Sequence, residues 1–431
     1  MSERVIVVDL ISRIEGEASL KIVINAQGKL EKVTINVFEA PRFFEGFLIG
    51  RMPQEVPEIT SRVCGICYVA HQIAALRAIE KALGLEVSEQ TEVLRALLSY
   101  GGMIQSHALH LFFLALPDFF NCGSIFELVE KDPRLVKWGF RLKEVGDRLT
   151  QLIGGRISHP VTPTVGGFTK LPSSEDLRRM VEELKEARRI IDMTVDFLSD
   201  IELPSFLRDY EFVALTSNDG YPVNSGILIS NLGLRFPEDE YCNYIEEKEV
   251  PYSTCKRTYI NGRGTFAVGP LARVNMNFDK LTPSAKEAAE ILGFKPPCYN
   301  LFSSHLARAI EILHFIDEAI TVLENFKLRD EKPLEYEVKP GEGCAVVEAP
   351  RGILFHQYRI GRNKRIERAN IITPTVHNVG SAEDDLLKYI PSIADLPEDA
   401  IKYKCERLIR CYDFCLSCSV HVERAAPTRM P

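Results

Sequence analysis

No stretch of this 431-residue sequence stays apolar for long enough to cross a bilayer. The most apolar run, Leu109 to Phe120, contains His110 and Asp118 and falls short of the roughly 20 residues that a spanning helix needs. At the N-terminus, Met1-Ser2-Glu3-Arg4-Val5-Ile6-Val7-Val8-Asp9 offers only a few apolar residues before Asp9, too few for the h-region of a secretory signal. A cytoplasmic protein with no membrane span is the expectation. A Lys/Arg-rich block is also missing, and 52 basic residues against 60 acidic ones leave a net charge of −8, which disfavours nucleic acid as a partner. The absence of an internal repeat, a low-complexity tract or a Ser/Gly linker excludes a solenoid and points to one large folding unit. No Gly-x-Gly-x-x-Gly fingerprint occurs, so a dinucleotide, if used, should bind elsewhere.

Cysteine is neither scarce nor organised as a disulfide framework. The 11 cysteines are an odd number, spread widely except for two tight pairs, which suits a reducing compartment. Cys122, Cys242, Cys255, Cys298 and Cys344 read as small buried hydrophobes.

With 45% hydrophobic residues, the chain can bury a large core. Residues 5–38 alternate apolar and polar positions, with Leu20, Ile22 and Ile24 on one face, a turn at Asn25-Ala26-Gln27-Gly28, and then Val33, Ile35 and Val37. This predicts a β-hairpin or meander. After Cys67 the spacing becomes helical through Ile73, Leu76, Ile79 and Leu83 to Gly84, and a second helical run covers Ser88 to Leu116. A third starts at Pro172-Ser173-Ser174-Glu175, with Ser173 or Ser174 as cap, and runs to about Phe197; a fourth spans Leu301 to Phe326. Val213 to Met276 reads as strands and loops, and Tyr336 to Tyr358 as β. The fold class is mainly α with β decorations (α+β): a β-rich region over residues 1–60, then a helical core with β-rich insertions over residues 61–421.

The two tight pairs are Arg62-Val63-Cys64-Gly65-Ile66-Cys67 and Asp413-Phe414-Cys415-Leu416-Ser417-Cys418-Ser419-Val420-His421. Cys-x-x-Cys spacing lets two thiolates bind one soft metal ion, and Gly65 keeps a side chain out of the first turn. Four thiolates can therefore close around one centre. A zinc site is the plainest reading of such pairs, but zinc modules keep their pairs about 15–20 residues apart, whereas these lie at opposite ends of the chain. A thioredoxin-like redox pair lacks its βαβ setting here. Spacing alone does not choose among these.

The residues around the pairs resemble the nickel-iron hydrogenase large subunit. The resemblance extends to Arg13-Ile14-Glu15-Gly16, to Ala40-Pro41-Arg42-Phe43-Phe44-Glu45 ahead of Gly50-Arg51, to Ser106-His107 through Pro117-Asp118, and to Glu348-Ala349-Pro350-Arg351-Gly352. It covers about residues 9 to 421 in family order, and within the family is most similar to the cytoplasmic NADP-linked sulfhydrogenases.

What the resemblance implies is a catalytic chain that splits dihydrogen heterolytically, or forms it, at a nickel-iron centre. Cys64, Cys67, Cys415 and Cys418 would hold nickel, with Cys67 and Cys418 bridging to an iron that carries carbon monoxide and cyanide. Cys415 would take the proton and Glu15 would carry it away. Arg351 would overhang the open metal position, with Asp118 and Asp413 as candidates to pair with it. Glu45 and His421 would hold a second, redox-inert ion, usually magnesium. His71, His107, His110 and His356 are left as packing or hydrogen-bonding residues, His110 being the one expected near an electron exit. With the paired cysteines committed to nickel, no iron-sulfur cluster is expected in this chain. The implied partners are an iron-sulfur small subunit, together with flavin- and NADP-binding electron-transfer subunits; deazaflavin-reducing and heterodisulfide-reductase modules are the alternatives.

Two features depart from the family pattern. Phe414 stands where proline is expected, which puts local geometry in question, and Glu17 stands where many relatives carry histidine. Residues 422–431 follow His421 as an extension of the kind a maturation endopeptidase removes, so cleavage between His421 and Val422 is expected. The rival readings are a quinone-site relative from respiratory complex I, against which both cysteine pairs argue, and a zinc-stabilised scaffold.

Overall fold

The computed structural model of the chain describes residues 4–27, 29–40 and 43–420. Alternation over the first 37 residues produces an antiparallel sheet in the order β1 (Arg4–Val8), β2 (Ala18–Ile24), β3 (Leu30–Val37). Leu20 pairs with Ile35 and Ile22 with Val33. These side chains therefore share one face, and all four are buried.

Four long helices form the centre. They follow α1 (Tyr68–Leu83) in the chain and are α2 (Glu89–Ala108), α3 (Pro133–Gly154), α4 (Ser174–Ser199) and, after a β-rich stretch, the helix Ser304–Asn325. Helix α2 packs on α3, α3 on α4, α4 on Ser304–Asn325, and that helix back on α2, which closes a four-helix ring. Serines cap two of these helices. Ser88 Oγ accepts the Thr91 N–H at 3.0 Å, and Ser173, not Ser174, caps α4 by accepting the Asp176 N–H at 3.1 Å. Helix α1 ends at Gly84 in the left-handed conformation (φ 68°).

The β-rich stretch holds β4 (Val213–Thr216), β5 (Ile227–Ser230) and β6 (Arg235–Pro237) in one sheet and β7 (Ile245–Lys248) with β8 (Arg257–Ile260) in another. Its end differs from expectation, because Pro270–Asn277 is a helix, α5, with Pro270 at the first position, where a missing N–H costs nothing. The ring helix Ser304–Asn325 is α6. Next come β9 (Gly341–Ala349), β10 (Gly352–Ile360) and β11 (Ile366–Ile372), an antiparallel sheet on which α1 lies, then α7 (Pro374–Tyr389) and α8 (Glu398–Arg410).

Two other expectations change. The run from Ser88 to Leu116 is not one α-helix: after Ala108 it widens into a π-helix over Leu109–Ala115 and then tightens into a 3-10 turn over Leu116–Phe120. Pro117, which has no N–H to donate to an i−4 carbonyl, sits in that last turn. Of the five cysteines read as small buried hydrophobes, Cys122, Cys255 and Cys344 are buried, but Cys242 is exposed and Cys298 half-buried. Cys242 lies on the four-residue helix Tyr241–Tyr244, where Tyr241 takes the buried position. Among the described residues no single helix is long and apolar enough to cross a membrane.

Candidate metal centre

Cys64 and Cys67 occupy the turn that leads into α1. Cys64 Sγ accepts the N–H groups of Ile66 (3.3 Å) and Cys67 (3.2 Å), which folds the turn around the sulfur. Among the described residues a side chain at Gly65 would meet nothing within 4 Å, so crowding by them does not explain the glycine. Cys415 and Cys418 lie in the segment after α8. There the Cys415 N–H donates to Thr375 Oγ1 at 3.0 Å and the Cys418 thiol to the Cys415 carbonyl at 3.1 Å.

The Arg13–Gly16 segment joins the two ends of the chain. Glu15 forms a parallel bridge with Cys415: the Glu15 N–H donates to the Phe414 carbonyl (3.3 Å), and the Leu416 N–H donates to the Glu15 carbonyl (2.9 Å). Gly16 is needed here. Its φ is +87°, and a Cβ would stand 2.8 Å from Leu416 Cβ.

This packing brings the four sulfurs within 4.8 Å of one another, all buried. Cys64 and Cys415 Sγ are 3.2 Å apart, far beyond a disulfide bond of about 2.05 Å. Hydrogen bonding from Cys415, then Cys418 and Cys64, holds the Cys67 thiol well below its ordinary range against the effect of burial. Bonds with Cys418, Cys64 and Cys67, together with burial, push Cys415 up. A soft cation would displace the protons from such a set, so four buried, converging sulfurs fit a thiolate-ligated metal.

Arg351 is the charge beside this cluster. It follows the β9 strand, donating from Nε to the Asp413 carbonyl (2.5 Å) and from Nη2 to Asp413 Oδ1 (3.0 Å), with both side chains buried. Burial opposes its charge, but Asp413 and the sulfurs of Cys415, Cys67 and Cys64 keep it protonated. Among the described residues Arg351 Nη1 and Asp413 Oδ2 have no hydrogen-bond partner, leaving polar capacity at the centre. Asp413 adopts φ +57°.

Asp118, expected as a second partner of Arg351, is held elsewhere. Arg410 donates to it from Nε (2.7 Å) and Nη2 (2.9 Å), and Arg13 completes the clamp. The 3-10 turn at Pro117 delivers the carboxylate to the end of α8. Glu15 is half-buried, accepting the Ser417 N–H (3.2 Å) and the Ser417 hydroxyl. Glu45 accepts the Ile371 N–H at 2.7 Å; its expected co-ligand His421 lies outside the described residues, as does the 422–431 extension. Phe414 stacks on Tyr412 (5.6 Å between centroids) in the main core, so the residue in the proline position directs its bulk into aromatic packing. His107 bonds Glu311 and His110 bonds the Arg410 carbonyl, both at 2.8 Å. The sequence reading missed Thr375, Ser417 and Arg410. Ser417 is visible between the second pair of cysteines; Thr375 and Arg410 carry no local signal.

The nickel-dependent hydrogenase family matches residues 42–137 and 235–421, more than half of the sequence. The chain belongs to that family. It is 35% identical to the alpha chain of sulfhydrogenase 1 from Pyrococcus furiosus, over 97% of this chain and 98% of that one. It is 34% identical to a chain of the vhu F420-non-reducing hydrogenase from Methanocaldococcus jannaschii, covering 88% and 96%. An NAD+-reducing [NiFe]-hydrogenase in its dihydrogen-reduced state superposes with a TM-score of 0.85 at 27% identity, covering 97% of this chain and 99% of its own. The protein is thus the large subunit of a nickel-iron hydrogenase, an oxidoreductase acting on dihydrogen, and the four-cysteine cluster is the part of it that fits a nickel-iron centre.

Proposed function

We propose that this hydrogenase chain uses Cys64, Cys67, Cys415 and Cys418 as nickel ligands, with Cys67 and Cys418 shared with an iron carrying carbon monoxide and cyanide. The observation that carries this is the convergence of four buried, unbridged sulfurs from opposite ends of the chain. When bound, the centre supplies a soft two-electron acceptor for dihydrogen, which yields two protons and two electrons. Cys415 then receives a proton, and Glu15, bridged to Cys415 through the backbone and oriented by Ser417, takes it outward. Arg351, fixed by Asp413, places a buried positive charge beside the sulfurs. Asp118 acts one step away, by fixing Arg410 and Arg13.

Glu45, with His421, is our candidate for a structural magnesium site. Residues 1–421 form the catalytic unit and 422–431 are removed by an endopeptidase; the family match ending at residue 421 supports that boundary. Electrons leave through an iron-sulfur small subunit to flavin- and NADP-binding subunits in the cytoplasm. The NAD+-reducing structural neighbour favours a nicotinamide acceptor. A heterodisulfide-reductase-coupled module is the second reading, and the name of the F420-non-reducing relatives argues against deazaflavin reduction.

The test is elemental analysis of the purified native complex, with dihydrogen-dependent viologen reduction and infrared spectroscopy. About one nickel per chain with carbon monoxide and cyanide bands is expected from a single four-thiolate site. Zinc without nickel, bands or activity in matured material would overturn the reading.

A further inference from the structure

Helix α5, which interrupts a stretch read as strands, holds a buried arginine against the segment that carries Arg351. One helical turn separates Gly269, at the cap, from Arg273, whose backbone N–H donates to the Gly269 carbonyl at 2.9 Å. A guanidinium has five N–H donors in a fixed fork, and in Arg273 each of them meets an acceptor. Nε and Nη2 donate to the two carboxylate oxygens of Glu311 on α6 (2.7 and 2.8 Å), and Nη1 donates to Glu348 Oε2 (3.0 Å). The other two N–H groups reach the carbonyls of Ala349 (2.9 Å) and Pro350 (3.0 Å).

Those carbonyls belong to the two peptide planes directly ahead of Arg351. The plane after it meets the same turn of α5, where a Cβ on Gly269 would stand 2.8 Å from the Arg351 carbonyl oxygen. The backbone that launches Arg351 is therefore held on both sides. Glu311 ties this grip to the four-helix ring, because it also accepts from the Tyr221 hydroxyl (2.6 Å) and bonds His107 Nε2 on α2 (2.8 Å). Burial opposes the Arg273 charge, but Glu311 and Glu348 keep it protonated. Arg95, also fully buried, shows what pairing alone requires. It bonds Glu80 through Nη1 (2.7 Å) and Nη2 (2.6 Å) and the Thr164 carbonyl at 3.4 Å, and its Nε has no hydrogen-bond partner among the described residues. Arg273 does more, since its fork spans two carboxylates and two successive carbonyls; a lysine ammonium, a point charge, cannot.

We propose that Arg273 is a positioning residue of the metal centre: it fixes the peptide planes ahead of Arg351 and so sets where the Arg351 guanidinium lies beside the four sulfurs. Its effect on turnover rests on Arg351 acting at a nickel-iron centre, whereas the grip itself is a property of the chain.

The test has two arms. In the matured complex, Arg273→Lys keeps the charge but loses the fork. Nickel content should stay at the wild-type level, the carbon monoxide and cyanide bands should move, and kcat should fall about tenfold to a hundredfold, as for a group displaced by about 1 Å. Arg95→Lys, the control for a buried arginine that only pairs, should lower the denaturation midpoint and leave bands and kcat in place. Added to Arg351→Lys, Arg273→Lys should lower kcat by less than about twofold more, because the group it positions is gone. In the metal-free full-length chain with nitrogen-15 arginine, the Arg351 Nε–H signal, assigned by its loss in Arg351→Lys, should shift in Arg273→Lys and hold in Arg95→Lys. An unmoved Arg351 signal overturns the grip. Unmoved bands, or a loss of kcat that persists in full on the Arg351→Lys background, overturn the positioning role. Should Arg273→Lys fail to fold, Glu311→Gln, which weakens the hold on Arg273 and keeps the side-chain shape, carries the same measurements with the same outcomes. Wild-type complex without the bands would count against the nickel-iron reading, and the metal-free arm would still decide the grip.

Discussion

Ser417 meets Glu15 across 402 residues of sequence, its backbone N–H donating to Glu15 Oε2 at 3.2 Å while its hydroxyl donates to the other carboxylate oxygen. The carboxylate is held in place beside the second cysteine pair. Glu15→Gln keeps a hydrogen-bond acceptor there but removes a group able to accept a proton. We expect dihydrogen-dependent viologen reduction to fall about a hundredfold or more, as for loss of a general acid-base group, with nickel content unchanged. Retained turnover would move the proton exit elsewhere.

The four sulfurs act as a set. Cys418→Ser replaces a soft donor in a cluster whose members lie within 4.8 Å of one another, and both nickel content and turnover should be lost together. Exposed Cys242 lies outside that cluster, so Cys242→Ser should leave both at wild-type levels. Nickel retained at full occupancy in the first variant would remove Cys418 from the ligand set.

Breaking the Arg351–Asp413 pair leaves a buried carboxylate uncompensated. Arg351→Ala should therefore destabilise the chain by about 3–5 kcal/mol, read from its denaturation midpoint. Adding Asp413→Asn should recover part of the loss, because the stranded charge goes with it. Equal midpoints for the single and double variants would show that the pair is not the source of the cost.

Asp385 gives the pH dependence a defined component. Burial raises its carboxyl from 3.8 to about 6, although Arg208, Tyr210 and Tyr412 all bond to it. A raised carboxyl favours the protonated folded form, so its stabilising contribution is complete below about pH 4 and lost as pH rises through 6. Between those limits the wild type should lose on the order of 2–3 kcal/mol relative to Asp385→Asn, measured by urea denaturation. Parallel curves for the two proteins would assign the burial energy elsewhere.

Local pattern carried much of this molecule. Alternation gave the β1–β3 meander, and period and punctuating residues placed α1, α4 and the start of α2 close to where they lie. It failed where a local feature had two outcomes: Pro117 sits at the start of a 3-10 turn that follows a π-helix, and Pro270 starts a helix within a stretch read as strands. In both places long-range packing selects the backbone that a short window leaves open.

By itself, the sequence determined the chemistry available: two Cys-x-x-Cys pairs, a glutamate before Gly16, and an arginine after Pro350, in an order similar to one enzyme family. Only the tertiary structure decided how these groups meet. It set Cys64 against Cys415 across 351 residues, gave Asp413 to Arg351 and Asp118 to Arg410, and closed Arg273 on the carbonyls of Ala349 and Pro350. The physical reason is that spacing along a chain fixes which side chains share a face of one helix or strand. Contacts between distant segments depend on how those faces pack, through close approaches such as Gly16 on Leu416 that local spacing does not specify.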